Sequence, residues 1–469
     1  MQVDDLEKWG PELARWSAEY LKSVRERPVR AQTAPGEIAR QIPDSPPDDA
    51  EPFEQLFSDF EQMILPGITH WQHPRFFAYF PANASPPSVI AEWLTATLAA
   101  QCMLWQTSPA ATELETVMLG WLRQMIGLPE GFQGVIQDSA STATLAAILV
   151  AREKALNWAG NRSGLSGNPA CRIYCSTEVH SSIDKACWIA GIGQDNLVKV
   201  PVKGPLRALE ADALEQAIEA DRAAGHLPAG LVVCIGATGT GSSDDINAAI
   251  DVAEKHGLYV HVDAAWAGTA MICPEYRYLM AGAERADSFV FNPHKWMFTN
   301  FDCTAHFVRD PEPLVKTLGI RPSYLETQGR DGIINYSEWS VPLGRRFRAL
   351  KLWFVIRSYG VSELQTKIRG HVEMAEGLAR RLGAEPDFEI VTEPILSLFS
   401  FRYHPDAAGD LDGLNACLVD AINDDGRIYI TQTQALGRYV IRFQVGQTYT
   451  SQEDVDLAFE VITELARRL

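Results

Sequence analysis

Apolar residues recur along the chain with two different periods, and the change of period divides it. Near the start, Leu6, Trp9, Leu13, Trp16, Tyr20 and Val24 follow one another at steps of three and four, the spacing of one face of a helix, with Pro11 kinking that helix or restarting it. Residues 27–52 then hold six prolines, which suits an extended strap better than a helix. A stripe on such a tethered arm needs a surface to bury against, on its own chain or on a second copy. From about residue 110 to 310, short apolar runs at 134–137, 172–175, 231–235, 259–262 and 288–291 alternate with helical patterns at 112–125, 143–155 and 244–256. Strands separated by helices predict an α/β fold with a mainly parallel sheet covered on both faces. Beyond residue 350 come a long helical pattern (350–382), strand-like runs at 397–402, 428–431 and 439–444, and a terminal helix. The expected organisation is an N-terminal helical arm and strap over 1–80, a large domain over 81–350 and a smaller C-terminal α+β domain over 351–469.

Composition narrows the function. A chain of 469 residues exceeds the size of one hydrophobic core, so at least two lobes are expected. Its net charge of -19 opposes binding to nucleic acid or an anionic membrane. The longest apolar stretch, residues 89–104, is interrupted by Glu92 and Gln101, and the first ten residues lack the pattern of a secretory signal. Eight scattered cysteines without a CxxC pair read as reduced thiols, so a cytoplasmic protein acting on a small molecule is expected. No metal site is indicated by the spacing of His, Cys, Asp and Glu.

Candidate chemistry collects where the predicted strands end, which is where open parallel sheets place their sites. The run 288–291 leads into Asn292, His294 and Lys295. A lone lysine is usually a solvated amine, but beside such neighbours it can serve as a nucleophile for a carbonyl cofactor, with Asn292 and His294 as phosphate donors. Asp263 ends another strand 32 positions earlier, about one βαβ unit, and a carboxylate there can keep a pyridine nitrogen protonated; otherwise it is a helix cap. Ser139 and Ser141 stand between a strand and a helix start, a ready phosphate site or an ordinary cap. His180 follows a fourth strand, placed to stack on a ring or to be merely structural. A competing reading takes Gly236 to Gly241, with Asp263 after the next strand, as a loosened dinucleotide fingerprint and the protein as an NAD(P)-dependent oxidoreductase. Its glycine spacing departs from G-x-G-x-x-G and it leaves Ser141, His180 and Lys295 without roles.

Taken together, Gln137-Asp-Ser-Ala-Ser-Thr-Ala-Thr144, His180-Ser-Ser, His261-Val-Asp-Ala-Ala-Trp-Ala-Gly268 and Phe291-Asn-Pro-His-Lys-Trp296 resemble the group II pyridoxal-phosphate decarboxylases, specifically the aromatic-L-amino-acid decarboxylases. Ser108-Pro-Ala-Ala-Thr-Glu-Leu-Glu115 and Pro342-Leu-Gly-Arg-Arg-Phe347 extend the resemblance over essentially the whole chain. It implies a fold-type I, aminotransferase-like architecture, pyridoxal 5'-phosphate as cofactor, and a homodimer whose N-terminal arms wrap the partner and bury the 6–24 stripe. It implies Lys295 as the Schiff-base lysine, Asp263 as partner of the pyridine nitrogen, His180 stacked on the ring and Ala265 on the opposite face. Ser139, Ala140, Ser141, Asn292 and His294 fall at phosphate positions, and Thr238 at a cofactor contact. Trp71, Phe80, Ala82, Gln101, Met103 and Gly344 line the substrate pocket, with Gly344 leaving room for an indole. Tyr324 matches the tyrosine of a mobile catalytic loop, followed by a glycine-rich lid composition at 328–332. In the related aromatic acetaldehyde synthases that position looks like Phe, so Tyr324 points to an amine product. Asp138 departs from the family in placing a carboxylate where a small residue precedes the phosphate serines, which bears on cofactor affinity.

Overall fold

The computed structural model describes residues 3–320, 332–406 and 409–469. Their contacts form two compact units: Met1–Pro81 with Glu376–Val391 and Ser400–Leu469, and Ala82–Ala375 with Thr392–Phe399. The expected blocks 1–80, 81–350 and 351–469 partition the chain differently. The N-terminal segment groups with the C-terminal one because its strap is bonded into the small sheet, as described below.

Among the described residues nine strands precede residue 310: β1 (Gln133–Gln137), β2 (Cys171–Ser176), β3 (Leu197–Val200), the short pair β4 (Val202–Lys203) and β5 (Ala208–Leu209), β6 (Leu227–Cys234), β7 (Tyr259–Asp263), β8 (Ser288–Phe291) and β9 (Thr304–Val308). Seven form the central sheet in the order β1-β9-β8-β7-β6-β2-β3. β9 runs antiparallel to both neighbours and all other pairs run in one direction, so the sheet is mainly parallel as expected. Every residue of β7, β8 and β9 is buried. Alternate side chains point to opposite faces, so both faces are covered. The β3 and β9 strands escaped the sequence pattern, β3 because its outward Lys199 breaks the apolar run, β9 because Thr304 and His306 are polar yet fully buried.

Helices begin where the local chemistry directs. Pro86 and Pro109 open α3 (Pro86–Leu98) and α4 (Pro109–Ile126), which follow α1 (Asp5–Ser23) and α2 (Phe53–Asp59); proline lacks an N–H that the first turn could not use. Ser139 caps α5 (Ala140–Ala155) by accepting the Thr142 N–H at 3.2 Å. The long helix Arg348–Ala384 is broken by Gly360, whose φ of 67° is left-handed.

In the first unit, β10 (Phe388–Ile395), β11 (Leu398–Tyr403), β12 (Thr431–Ala435) and β13 (Arg438–Gln444) make a sheet in the order β10-β11-β13-β12, its hairpin bend grouping with the second unit. Residues 428–430, expected as strand, instead bond the strap: Phe77 N–H donates to the Tyr429 carbonyl at 2.9 Å and Gln444 N–H to the Phe77 carbonyl at 3.1 Å. Phe77 stacks on Phe443 at 4.3 Å. The arm's aromatic stripe is likewise met by its own chain: Trp9 packs on Phe53 at 4.6 Å and Trp16 on Phe60 at 5.4 Å, while Tyr20 Oη lies 2.9 Å from His70 Nδ1. The chain itself thus covers part of the stripe, leaving Trp9, Leu13, Trp16 and Tyr20 half-buried. Only Leu6 of the stripe stays exposed.

The outer edge of β1 is closed by side chains instead of a strand. Glu115 on α4 accepts the Ile136 N–H at 2.8 Å, and Arg345 donates to the Ile136 carbonyl at 2.8 Å. The two are joined as a bidentate pair at 2.6 and 3.1 Å, and both are buried. A sheet edge otherwise exposes unpaired peptide groups. Removing one member strands the other's buried charge, so Glu115→Ala is expected to lower stability by about 3–5 kcal/mol, with Glu115→Gln intermediate, as read from denaturant unfolding of the two variants.

Candidate active site

The site is built at the carboxyl ends of β7 and β8. Asp263 terminates β7 and is 8% exposed. Its Oδ1 accepts the Ala265 N–H at 3.0 Å, and no other hydrogen bond reaches this carboxylate among the described residues. Burial raises its pKa, an effect opposed first by Lys295, then by the Ala265 bond and by His180. Lys295 lies in the single helical turn Pro293–Trp296 that follows β8. His180, after β2, stays exposed. The Ser182 N–H donates to its Nδ1 at 3.1 Å, so the neutral ring carries its proton on Nε2. Desolvation, then Lys295, lowers its pKa below the ordinary histidine value. The three groups expected to meet around a cofactor ring are therefore electrostatically coupled, and Asn292 N–H donates to the Ala265 carbonyl at 2.9 Å, joining the two strand ends.

Around them stand the expected phosphate donors. Asn292 Oδ1 accepts from Thr304 Oγ1 at 2.6 Å, which orients its amide. His294 is buried and accepts the Cys303 N–H at Nδ1, 2.9 Å, its pKa pushed down to about 3 by burial and the Lys295 charge. It serves the loop as a neutral acceptor at Nδ1, so its proton is carried on Nε2. Ser139, Ala140 and Ser141 open α5. Ser139 Oγ also donates to Asp138 Oδ1 at 3.4 Å, and Arg348 feels the Asp138 charge while bonding Asp302 bidentately at 2.9 and 3.1 Å. The donor set fits pyridoxal phosphate: an amine, a buried carboxylate with an open acceptor oxygen for a pyridinium N–H, and hydroxyls at a helix N-terminus.

The expected substrate residues are divided between the two units. Trp71 and Phe80 belong to the first, where Trp71 packs on Phe76 at 4.4 Å and Phe80 lies under the Arg442 guanidinium at 4.7 Å. In the second, Gln101 and Gly344 meet each other: the Arg345 N–H donates to Gln101 Oε1 at 2.6 Å, and a Cβ on Gly344 would sit 3.3 Å from Gln101 Nε2. They line a surface cavity of about 310 Å³ with Thr95, Ala96 and Ala99. Met103 accepts the Ser337 N–H at its carbonyl, 3.1 Å. Ala82 is half-buried at the head of the segment leading to α3. Tyr324 and the lid at 328–331 lie outside the described residues.

Two features that sequence reading missed support the site. Behind Asp263, Thr144 Oγ1, His261 Nε2 and Nδ1, Ser288 Oγ and His306 Nε2 form a buried chain with steps of 3.2, 2.8 and 2.8 Å, binding α5 to β7, β8 and β9. Beside Lys295, Asn83 donates to the Lys295 carbonyl at 2.7 Å and Ser85 to the Phe298 carbonyl at 2.7 Å, both side chains fully enclosed. His261 and Ser288 stand in the strand runs and signal only that a polar residue interrupts an apolar strand. Asn83 carries no local signal.

The dinucleotide reading fails on geometry. Gly236 follows β6 in a turn with φ 72°, where a Cβ would lie 2.6 Å from Ala267 Cβ, and the next helix starts only at Ile246. The glycines permit a tight turn and close packing, not a phosphate at a helix N-terminus. Thr238 stays half-buried in that turn.

Comparison with known proteins agrees with this geometry. The family model described as "Pyridoxal-dependent decarboxylase conserved domain" matches residues 35–404. The chain is 38% identical to phenylacetaldehyde synthase of Arabidopsis thaliana, over 100% of this chain and 97% of that protein. It is 40% identical to aromatic-L-amino-acid decarboxylase of Mus musculus, over 99% and 98%. A crystal structure of Oryza sativa TDC with PLP and tryptamine superposes with a TM-score of 0.96 at 34% identity, covering 100% of this chain and 99% of that one.

The buried chain generates a pH dependence. His306 titrates near 6.5 when unfolded but at about 4 in the fold, because burial disfavours its charged form. Between those values the unfolded state binds more protons, so the contribution of His306 is present above pH 6.5 and lost as the pH falls to about 4, amounting to about 3 kcal/mol. Thermal unfolding at stepped pH is expected to show this acid loss, and His306→Gln to flatten it.

Proposed function

The chain belongs to the pyridoxal-dependent decarboxylase family, and from that premise we propose that it removes the α-carboxyl group of an aromatic L-amino acid, releasing the aromatic amine and carbon dioxide. The observation that carries the reading is the meeting of Lys295 and buried Asp263 at the ends of the paired strands β8 and β7, joined by the bond from Asn292 N–H to the Ala265 carbonyl, with the electrostatic influence of both on His180 after β2. Pyridoxal phosphate, when bound, supplies a protonated ring that accepts the electron pair left as the carboxyl group departs.

The residues divide this work. Lys295 would hold the cofactor's aldehyde carbon and give it up to the substrate amine. Asp263, whose burial makes a cationic partner favourable, would keep the pyridine nitrogen protonated. His180 and Ala265 would hold the two faces of the ring, and Ser139, Ala140, Ser141 and Asn292 its phosphate. Thr238 would contact the cofactor from the turn after β6, and the neutral His294 would support the loop that carries the lysine. Ala82 and Met103 would accept the aromatic side chain and exclude water, which strengthens every charge interaction inside. Gly344 leaves space that favours an indole, so tryptophan is the preferred substrate in this reading.

Assembly and location are part of the same proposal. The outward residues of α3, Val89, Ile90, Trp93, Leu94 and Leu98, are all exposed and apolar, a patch that marks an association surface; a homodimer through this face is the proposed assembly. The eight cysteines are unpaired, seven of them buried, which fits the reducing cytoplasm. No described helix is long and apolar enough to cross a membrane.

Borohydride reduction of the holoenzyme followed by peptide mapping is expected to label the peptide containing Lys295. Lys295→Ala should lose both the label and carbon dioxide release from tryptophan, tyrosine, DOPA and phenylalanine. A colourless parent protein that binds NAD would sink the reading.

Tyr324 is proposed as the acid that protonates the substrate α-carbon, a contribution typically worth about 100- to 10,000-fold. An aromatic acetaldehyde synthase is the alternative, favoured by the similarity to the Arabidopsis thaliana protein. Tyr324→Phe is expected to keep releasing carbon dioxide while diverting product to aldehyde with hydrogen peroxide and ammonia. Quantifying amine, aldehyde and peroxide in air decides it; unchanged amine formation would move the role elsewhere.

A further inference from the structure

The turn Pro293–Trp296 is a single helical turn, and a helix that short leaves its last carbonyls without intrahelical partners. After it the chain turns through Phe298 at φ 55°, a left-handed conformation that side-chain-bearing residues rarely adopt. Both features need holding from outside. The segment entering α3 does this in sequence order: Asn83 donates to the Lys295 carbonyl at 2.7 Å, Ser85 to the Phe298 carbonyl at 2.7 Å, and Ser88 accepts the Asn300 N–H at 2.7 Å. Asn300 in turn donates to Glu92 at 3.2 Å, and Glu92 pairs with the buried Lys351 at 3.0 Å. Asn83 is 1% exposed, and it is the member of this series that bonds the backbone of Lys295 itself.

We propose that Asn83 is a positioning residue for Lys295, its side-chain amide fixing the carbonyl of that residue and thereby the direction in which the amine leaves the turn. This rests on the reading that Lys295 holds the cofactor. An amine held in line with its electrophile reacts at a high effective concentration, and releasing the carbonyl lowers that concentration without changing the amine. The consequence falls on cofactor attachment before any substrate is present.

The test uses the full-length protein. Asn83→Ala removes the amide; Asn83→Asp, close in shape but lacking the N–H donor when ionised, carries the test where the alanine variant does not fold. Pyridoxal phosphate affinity of the apoprotein, the pH midpoint of the visible absorption band of the holoenzyme and borohydride labelling at Lys295 are measured. Both variants are expected to bind the cofactor about ten-fold more weakly or worse, with a displaced midpoint. Asn415→Ala, which removes a buried asparagine bonded to Tyr403 in the other unit, is expected to lower thermal stability and leave cofactor affinity unchanged. Parental affinity and midpoint in both Asn83 variants, with Lys295 labelled in the parent, would overturn the role of Asn83 alone. No label at Lys295 in the parent would overturn the Lys295 reading and the positioning role together.

Discussion

Burying the Asp263 carboxylate at the end of β7 sets the terms for the second unit. Removal from water disfavours its charge, and the protein offsets this with one backbone N–H from Ala265 and the nearby charge of Lys295. That is incomplete compensation for a carboxylate with several acceptor positions, and it leaves the group disposed toward a further cation. A pyridinium nitrogen answers that need. The strands beneath are tied together by the neutral chain of Thr144, His261, Ser288 and His306, whose histidines are held uncharged by burial. A protonated histidine in that layer would be a second cation competing with Lys295 for the Asp263 carboxylate, so neutrality there leaves that pairing to Lys295.

Elsewhere in the same unit, peptide groups that regular secondary structure leaves unpaired are completed by side chains from other segments. Glu115 and Arg345 stand in for a missing strand beside Ile136, and Asn83 and Ser85 stand in for helical N–H donors beyond Lys295. Each substitution satisfies a buried backbone group that would otherwise cost about 1–3 kcal/mol. They also fix two places that regular secondary structure cannot hold: the edge of the sheet and the irregular chain after the lysine.

Much of the fold was legible from periodicity. The alternation of apolar runs and helical patterns anticipated β1, β2, β6, β7 and β8, because buried parallel strands read as short apolar runs, and the helices Pro109–Ile126, Ala140–Ala155 and Ile246–His256, though not Ser182–Ile189 or Ala211–Ala223. The polar strand β9 was illegible for the converse reason: buried Thr304 and His306 are satisfied by Asn292 and Ser288, a fact that resides in β8 and the residue after it. The stripe from Trp9 to Tyr20 announced a buried face but not its cover, since Phe53, Phe60 and His70 lie beyond a proline-rich strap of no fixed direction.

The chemistry divides the same way. Lys295, Asp263, His180 and the serines before α5 could be singled out from sequence as candidates because each stands at or within a few residues of a strand end, and a parallel sheet gathers strand ends whatever the details of packing. Their order along the chain therefore determined the centre of the site. The tertiary structure alone decided what steadies it: the neutral state of His294 and the bond from Asn83 to the Lys295 carbonyl. The first depends on burial, the second on packing that brings Asn83 within hydrogen-bond reach across some 200 residues of sequence, and no local pattern encodes such a meeting.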